Sequence, residues 1–244
     1  MTGLTSRLGL TAGIATVFVA ALAGVGSFLP AAADAADAAH PTVVELFESQ
    51  GCSSCPPANA NVNAIADRPD ILALNFGVTY WDQLGWKDTF AQPAFTARQW
   101  DYARAGGRGQ VFTPQIIIDG HDSLVGDNAQ ELASVIRASR RGASGPAIAR
   151  GAGGVTLAAG TTSAPATVWL VRYDPRVQLV PIRAGENGGR TLPHRNVVRS
   201  LEAIGTWTGR AQSYRISQAP RADLREAILV QQGKGGRILA AQRL

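Results

Sequence analysis

Residues 43–57 read VVELFESQGCSSCPP, an apolar run that leads into two cysteines spaced C-x-x-C. The run VVELF is rich in β-branched and aromatic residues, which predicts a strand. The two prolines suit the first turn of a helix, where a missing backbone N–H costs little. The pattern therefore predicts a strand, a turn and a helix, with Cys52 in the turn and Cys55 at the start of the helix.

The predicted position of the two cysteines suits thiol chemistry. A cysteine attacks as its thiolate, and a free cysteine is mostly protonated at neutral pH because its pKa is about 8.5. A helix N-terminus stabilises negative charge, so we expect Cys52 to be the exposed and more acidic attacking thiol. Cys55 is expected to be shielded and to resolve a mixed disulfide formed by Cys52. The predicted activity is that of a thiol–disulfide oxidoreductase.

Two other interpretations of the cysteine pair stay open. The chain has no further cysteine, and a bridge over so short a loop adds little stability, which argues against a purely structural disulfide. Two thiolates and a histidine would bind copper or zinc, but His40, His121 and His194 are not in a paired spacing. We therefore predict no metal site and no cofactor. A metal carrier and a redox-inert interaction module are the alternatives.

The N-terminal segment predicts export. Residues 1–33 contain one charged side chain, Arg7, then an apolar run to Leu29 and small residues of the A-x-A type, as in a cleaved signal peptide. An uncleaved membrane anchor is the alternative, since about 20 apolar residues can span a bilayer. In both cases the rest of the chain lies outside the cytoplasm, where a disulfide persists. The predicted location is periplasmic or secreted.

The chain divides into two parts of opposite charge. Residues 41–140 carry 7 basic and 11 acidic side chains, a net charge of −4, and residues 141–244 carry 15 basic and 5 acidic ones, a net charge of +10. A run of breakers and small residues at 140–146 predicts a linker there. We therefore expect one domain over 41–140 and a second over 146–244.

The two parts also differ in their periodicity. The first alternates apolar strands with helical patterns, which is typical of an α/β layer sandwich. Its helices are expected at 56–66, at 92–105 and after Asp127, and its later strands at 71–78, 116–118 and 124–125. The second part shows short β-like runs between turns, which predicts a small antiparallel sandwich. These runs are 168–171, 177–180, 212–216, 227–230 and 238–241.

A resemblance to the thioredoxin superfamily rests on the C-x-x-C unit together with Thr113-Pro114, which stands before the strand QIII. This pair resembles the cis-proline loop of that superfamily. The resemblance implies a cis bond, a loop that lies against the cysteines, and backbone groups that bind a peptide. It also implies that Glu45, near the usual place of a buried carboxylate, relays a proton to Cys55. The alternative is that Glu45 faces solvent or pairs with an arginine.

A closer resemblance appears when further motifs are included. With YWDQLGWKD (80–88), TPQIIIDG (113–120) and GENGGRTL (185–192), the chain resembles an exported bacterial family of unassigned function. That family joins a thioredoxin-like α/β domain to a mainly antiparallel, sandwich-like β domain, and this is the predicted fold class. Trp81 is predicted to line a substrate groove, with core packing as the alternative. The GENGG loop is predicted to pack across the interface between the domains.

The expected partners follow from the predicted location and charge. They are thiols or disulfides of envelope proteins, and an unidentified redox partner. The second part carries a basic stretch with few aromatic neighbours, so nucleic acid is not expected as a partner. This stretch contains Arg183, Arg190, Arg195 and Arg199. We interpret it as a contact with an anionic envelope surface or with the acidic first part. No stable membrane insertion is expected after signal cleavage.

Overall fold

The computed structural model describes residues 1–4, 36–139, 141, 145–219 and 221–244. Residues 33–244 form one compact unit. The predicted signal peptide, 1–33, lies almost wholly outside the described residues, as does much of the predicted linker, and both stay predictions. Within the described ranges, no helix is long and apolar enough to cross a membrane.

The first part of the chain alternates strands and helices, as its periodicity predicts. The elements are β1 (Thr42–Glu48), α1 (Cys55–Ile65), β2 (Ile71–Gly77), α2 (Pro93–Ala105), β3 (Gln115–Ile118), β4 (Asp122–Leu124) and α3 (Ala129–Ala138). One detail differs, because α3 is capped by Asn128 and not by Asp127. The Asn128 side chain accepts hydrogen bonds from the backbone N–H groups of the next turn at 2.9 and 3.1 Å.

These elements have a thioredoxin-like arrangement. Strand β1 pairs in parallel with β2 through the α1 crossover, and in antiparallel with β3, which pairs with β4. Helices α1 and α3 cover one face of the sheet and α2 covers the other. Alternate residues of β1 point to opposite sides of the sheet, and apolar β1 residues occupy both sides. Val44 and Leu46 pack with α1, whereas Val43 and Phe47 lie in the cluster on the α2 side.

The second part is mainly antiparallel, which confirms the predicted fold class. Its strands are β5 (Ile148–Gly151), β6 (Gly154–Leu157), β7 (Ala166–Asp174), β8 (Gln178–Pro181), β9 (Thr191–His194), β10 (Val197–Trp207), β11 (Gln212–Arg215), β12 (Arg225–Gln232) and β13 (Ile238–Arg243). Four of them, β5, β6, β9 and β10, were not predicted from the sequence.

The two parts share one eight-stranded sheet, in the order β13-β12-β7-β10-β2-β1-β3-β4. Strand β10 joins β2 in parallel at Val197 and Asn75, so the later strands extend the sheet beyond β2 and do not enter between β1 and β4. The small sheet β11-β6-β5 packs on this extension and buries Trp207, which makes the sandwich. The predicted boundary therefore separates two architectures within one compact unit. As a division between independent domains it stays a prediction.

Candidate functional site

The cysteine pair lies where β1 leads into α1. Cys52 and Cys55 form a disulfide, with their Cα atoms 5.4 Å apart. Cys55 is the first residue of α1, and its backbone N–H donates to the Cys52 carbonyl at 3.2 Å. Two prolines follow in the first turn, as the sequence predicts. The pair is thus held at the positive end of the helix dipole, where a thiolate is stabilised.

The expectation that Cys52 is exposed is wrong for the disulfide form. The exposed fraction is 0% for Cys52 and 1% for Cys55. The reason is tertiary, because side chains and loops distant in sequence surround the turn. Asn187, which is itself buried, donates from its amide to the Cys52 carbonyl at 2.8 Å.

The proline loop lies beside the cysteines, as the resemblance implies. The Thr113–Pro114 peptide bond is cis. The Ser54 hydroxyl lies 3.3 Å from Cys52 Sγ and 3.4 Å from the Thr113 carbonyl oxygen, so it connects the motif to the loop. Trp81 Nε1 donates to Thr113 Oγ1 at 2.7 Å. The structure therefore brings Trp81, the proline loop and Cys52 together, although Trp81 also packs against the core.

Glu45 lies in a different part of the fold from the cysteines. Its carboxylate is fully buried and accepts from Arg98 Nε at 2.7 Å and from Arg98 Nη2 at 3.1 Å, and the Tyr102 hydroxyl also donates to it. Burial works against the Arg98 cation, but the charge of Glu45 raises the pKa of Arg98 above its usual range. Because β1 side chains alternate, Glu45 points to the α2 side. Of the two interpretations of Glu45, the structure shows pairing with an arginine.

A second buried carboxylate, Glu48, points to the α1 side and was not predicted from the sequence as a site residue. It accepts from Asn59 Nδ2 at 2.8 and 2.9 Å, and from the Asn75 amide. His194 Nδ1 lies 2.9 Å from the same carboxylate. Asn59 is four residues after Cys55, so the two side chains lie on one face of α1. The polar cluster of Glu48, Asn59, Asn75 and His194 therefore sits one helical turn below Cys55.

His194 is a buried histidine within this cluster. It is almost fully buried, and its ring meets the Phe90 ring edge-on at 5.5 Å. Its Nε2 atom has no hydrogen-bond partner among the described residues. Burial alone would lower the pKa of His194, but the charge and hydrogen bond of Glu48, with the charge of Asp88, raise it. The pKa of Asp88 is itself raised, mainly by burial.

The raised pKa of His194 predicts a pH dependence of stability. The folded protein holds the proton more tightly than the unfolded chain, whose histidine pKa is about 6.5. This contribution to the free energy of unfolding is therefore complete below that value and is lost as the pH rises through the folded pKa. Urea unfolding measured as a function of pH should show this loss.

Two variants test the origin of this loss. In Glu48→Gln the charge that raises the pKa of His194 is gone, and in His194→Gln the titrating ring is gone, so both should lose this component of the pH dependence. Asp88 stays in all three proteins, but the pKa of its carboxyl responds to the charges of Glu48 and His194. The comparison is therefore made above pH about 6.5, where the folded-state titration of His194 is expected. An unchanged pH dependence in Glu48→Gln would contradict the assignment.

The GENGG loop of the second part contacts the first part, in line with its predicted packing between them, and the surface that it contacts is the cysteine turn. Glu186 Oε2 accepts from Ser53 N at 3.0 Å and from Ser53 Oγ at 2.7 Å. The Asn187 amide donates to the Gln50 carbonyl at 2.9 Å as well as to that of Cys52. The motif was visible in the sequence, but the role of its two polar side chains was not.

The other two histidines lie at the surface of the protein. His121 is exposed beside Asp122, at 3.0 Å, and His40 is exposed beside Asp37. Over the described residues, no group of three or more His, Cys, Asp or Glu side chains has the geometry of a metal site. Within the basic stretch, Arg195 pairs with Asp67 of the acidic first part, at 2.6 and 2.8 Å.

Two solved structures resemble the chain. Protein AGR_C_4864 from Agrobacterium tumefaciens is 30% identical, with a TM-score of 0.71 over 83% of this chain and 93% of that one. HBP35 of Porphyromonas gingivalis is 11% identical, with a TM-score of 0.55 over 84% of this chain and 74% of that one. At this low identity the second likeness concerns the fold alone. No curated protein matches the chain.

A family model described as "Protein of unknown function (DUF1223)" matches residues 43–231, from β1 to β12. The match includes the cysteine pair, the proline loop, His194 and the GENGG loop. The chain therefore belongs to the DUF1223 family.

Proposed function

We propose that this protein is an exported thiol–disulfide oxidoreductase that exchanges disulfides with envelope proteins through Cys52 and Cys55. The observation that carries the proposal is the placement of the disulfide. It joins the turn to the first residue of α1 and lies beside the cis Thr113–Pro114 bond. A helix N-terminus stabilises a thiolate at this place, and the spacing allows the second thiol to attack the first.

The exchange starts from the reduced protein. The Cys52 thiolate attacks one sulfur of a partner disulfide, the partner S–S bond breaks, and the other partner sulfur leaves as a thiolate. Cys55 loses its proton and attacks Cys52 Sγ, which breaks the mixed disulfide and releases the second partner sulfur. Two electrons have moved to the partner, which becomes a dithiol, and the Cys52–Cys55 disulfide has formed. The reverse sequence oxidises a partner dithiol.

The proton of Cys55 needs an acceptor on its own side of the sheet. Glu48 and His194 are buried, and both contact Asn59, which lies on the same face of α1 as Cys55. Glu45 faces α2 and is occupied by Arg98. We therefore assign proton storage to Glu48 and His194, and a structural ion pair to Glu45.

The site also suits a peptide partner outside the cytoplasm. Trp81, Thr113 and Pro114 stand beside Cys52 and are proposed to bind the partner segment around its cysteine. Export is proposed from the sequence of residues 1–33, and a disulfide persists in that environment. The partners proposed are envelope proteins with thiols or disulfides, and a redox protein that regenerates the site.

A redox assay tests the proposal. The protein purified from the envelope should take up two electrons per chain from dithiothreitol and release two thiols. With insulin as a probe disulfide, it should accelerate reduction by dithiothreitol well above the uncatalysed rate. A metal analysis of the same preparation addresses the carrier alternative. Stoichiometric copper or zinc on the reduced protein, without accelerated insulin reduction, would contradict the proposal.

A further inference from the structure

The disulfide cannot be attacked in the conformation described. Exchange requires a thiolate to reach a disulfide sulfur directly, and accessibility limits the rate. Cys52 is 0% exposed and Cys55 1%. If the protein exchanges disulfides as proposed, a neighbouring segment has to move first.

The GENGG loop, Gly185–Gly189, is a segment of the second part that is hydrogen-bonded to the cysteine turn. Asn187 anchors it, because its buried amide donates to the carbonyls of Gln50 and Cys52 at 2.9 and 2.8 Å. The side-chain oxygen of Asn187 accepts from Arg190 Nη1 at 2.8 Å, which orients the amide. The loop is therefore joined to the backbone of the reacting cysteine.

The second attachment of the loop is more exposed. Glu186 accepts from the backbone and the hydroxyl of Ser53, the residue directly after Cys52. Both side chains are exposed, and these hydrogen bonds lower the pKa of Glu186, which keeps it anionic. Water can replace either partner of an exposed hydrogen bond, so the net contribution of such a bond to the stability of the closed loop is small. This attachment can open without leaving a buried group unpaired.

A glycine stands at each end of the loop. Gly185 and Gly189 both have positive φ angles, +72° and +84°, which side-chain-bearing residues rarely adopt. Gly185 also packs closely on Trp86, where an added Cβ would meet the Trp86 Cβ at 3.2 Å. Hinges are a few terminal positions that absorb backbone change, and glycines at both ends supply them.

We propose that Gly185–Gly189 is a cap on the redox site, with Glu186 as its latch and Asn187 as its anchor. The cap must lift before a partner thiol reaches Cys52. Once lifted, it frees the Ser53 N–H and the Cys52 carbonyl for the partner segment. The second part of the chain thus controls access to the reactive centre of the first.

The rate of disulfide reduction tests the cap. Dithiothreitol serves as the small reductant and reduced thioredoxin as the protein-sized one. Asn187→Ala removes three hydrogen bonds, two of which join the loop to the cysteine turn. We expect about a tenfold rise in both second-order rate constants, with the larger rise for thioredoxin. Glu186→Gln weakens the exposed latch and should raise the rate constants about threefold. Because opening is needed in both directions, the equilibrium with glutathione should change much less than the rates.

Matched controls separate a cap from general loosening. Asn61 also donates from its amide to two backbone carbonyls, of Gly126 and Asp127 at 2.9 and 3.0 Å, so Asn61→Ala is the control for the anchor. Glu131→Gln removes an exposed charge elsewhere and controls for the latch. Both control variants should keep wild-type rates. Unchanged rates in Glu186→Gln and Asn187→Ala, or equal rises in the controls, would overturn the cap.

The cap and the proposed function fail in different ways. Dithiothreitol reduces an accessible disulfide whatever its biological use, so the rates report on the cap alone. If the variants react faster with dithiothreitol but the wild-type protein does not accelerate insulin reduction, the cap stands and the oxidoreductase proposal fails. If Glu186→Gln and Asn187→Ala are folded, react with dithiothreitol like the wild type and accelerate insulin reduction, the cap fails and the exchange stands.

Discussion

Replacing Cys55 by serine should trap partner proteins on Cys52 in the cell envelope. In Cys55→Ser the attacking thiol remains, so the mixed disulfide forms, but the thiol that would resolve it is absent. Non-reducing gels of envelope extracts should show adducts of higher mass, and mass spectrometry should identify the partner cysteine. Cys52→Ser should form no adduct and should lose exchange entirely, because Cys55 lies inside the first turn of α1.

The asymmetry between the two variants is the decisive feature. A metal carrier would lose binding with either substitution and would trap nothing. A redox-inert module would show neither adducts nor any change in an exchange assay. The double variant Cys52→Ser/Cys55→Ser supplies the background. If Cys55→Ser is folded and exported but gives no adduct above that background, the oxidoreductase proposal loses its main support.

The buried ion pair of Glu45 and Arg98 should have the largest effect on stability. Arg98→Met leaves the Glu45 carboxylate buried without its cation, and breaking a buried pair in this way costs about 3–5 kcal/mol. The guanidinium also donates to Gln231 at 3.0 Å and lies over the Trp169 ring, so further contacts are lost with it. Urea unfolding should show the loss as a lower midpoint with an unchanged slope.

Two comparisons give this measurement its meaning. Arg195→Met breaks the pair with Asp67 by the same substitution, but that pair is exposed and should cost less than about 1 kcal/mol. The double variant Glu45→Leu/Arg98→Met removes both buried charges and should recover much of the stability. It should also keep disulfide exchange, since Glu45 faces away from the cysteines. If the double variant folds but has no exchange activity, Glu45 has the proton-transfer role that the resemblance implies, and its assignment as a structural ion pair is wrong.

For the two buried carboxylates, the sequence pattern predicts that they face opposite sides of the sheet, but not which partner each one meets. Glu45 and Glu48 are three residues apart on β1, so a strand places them on opposite faces. The sequence marks both as acids in an apolar run but not which face meets α1. That is decided by the helices, since Asn59 of α1 binds Glu48 and Arg98 of α2 binds Glu45. His194 joins Glu48 from 146 residues away, a separation that leaves no periodic signal.

The longest strand illustrates the same limit for the fold. Strand β10 covers 11 residues, and its middle mixes polar and apolar residues that are mostly partly exposed, so no regular alternation reveals it. It forms because β7 pairs with it on one side and β2 accepts its first residue on the other. Strand formation of this kind depends on neighbours more than on intrinsic preference. The join between the two parts of the chain was therefore invisible in the sequence.

Local sequence was enough to predict the strand–turn–helix unit with Cys52 and Cys55, the proline loop at Thr113–Pro114, and the α/β and β character of the two parts. These features depend on residues close together in the chain, or on a motif with a known partner. That Cys52 is buried depends on the tertiary structure, since Glu186 and Asn187 bind its turn across 133 and 135 residues. The exposure of a side chain depends on whatever packs over it, and contacts between segments this far apart leave no local pattern in the sequence.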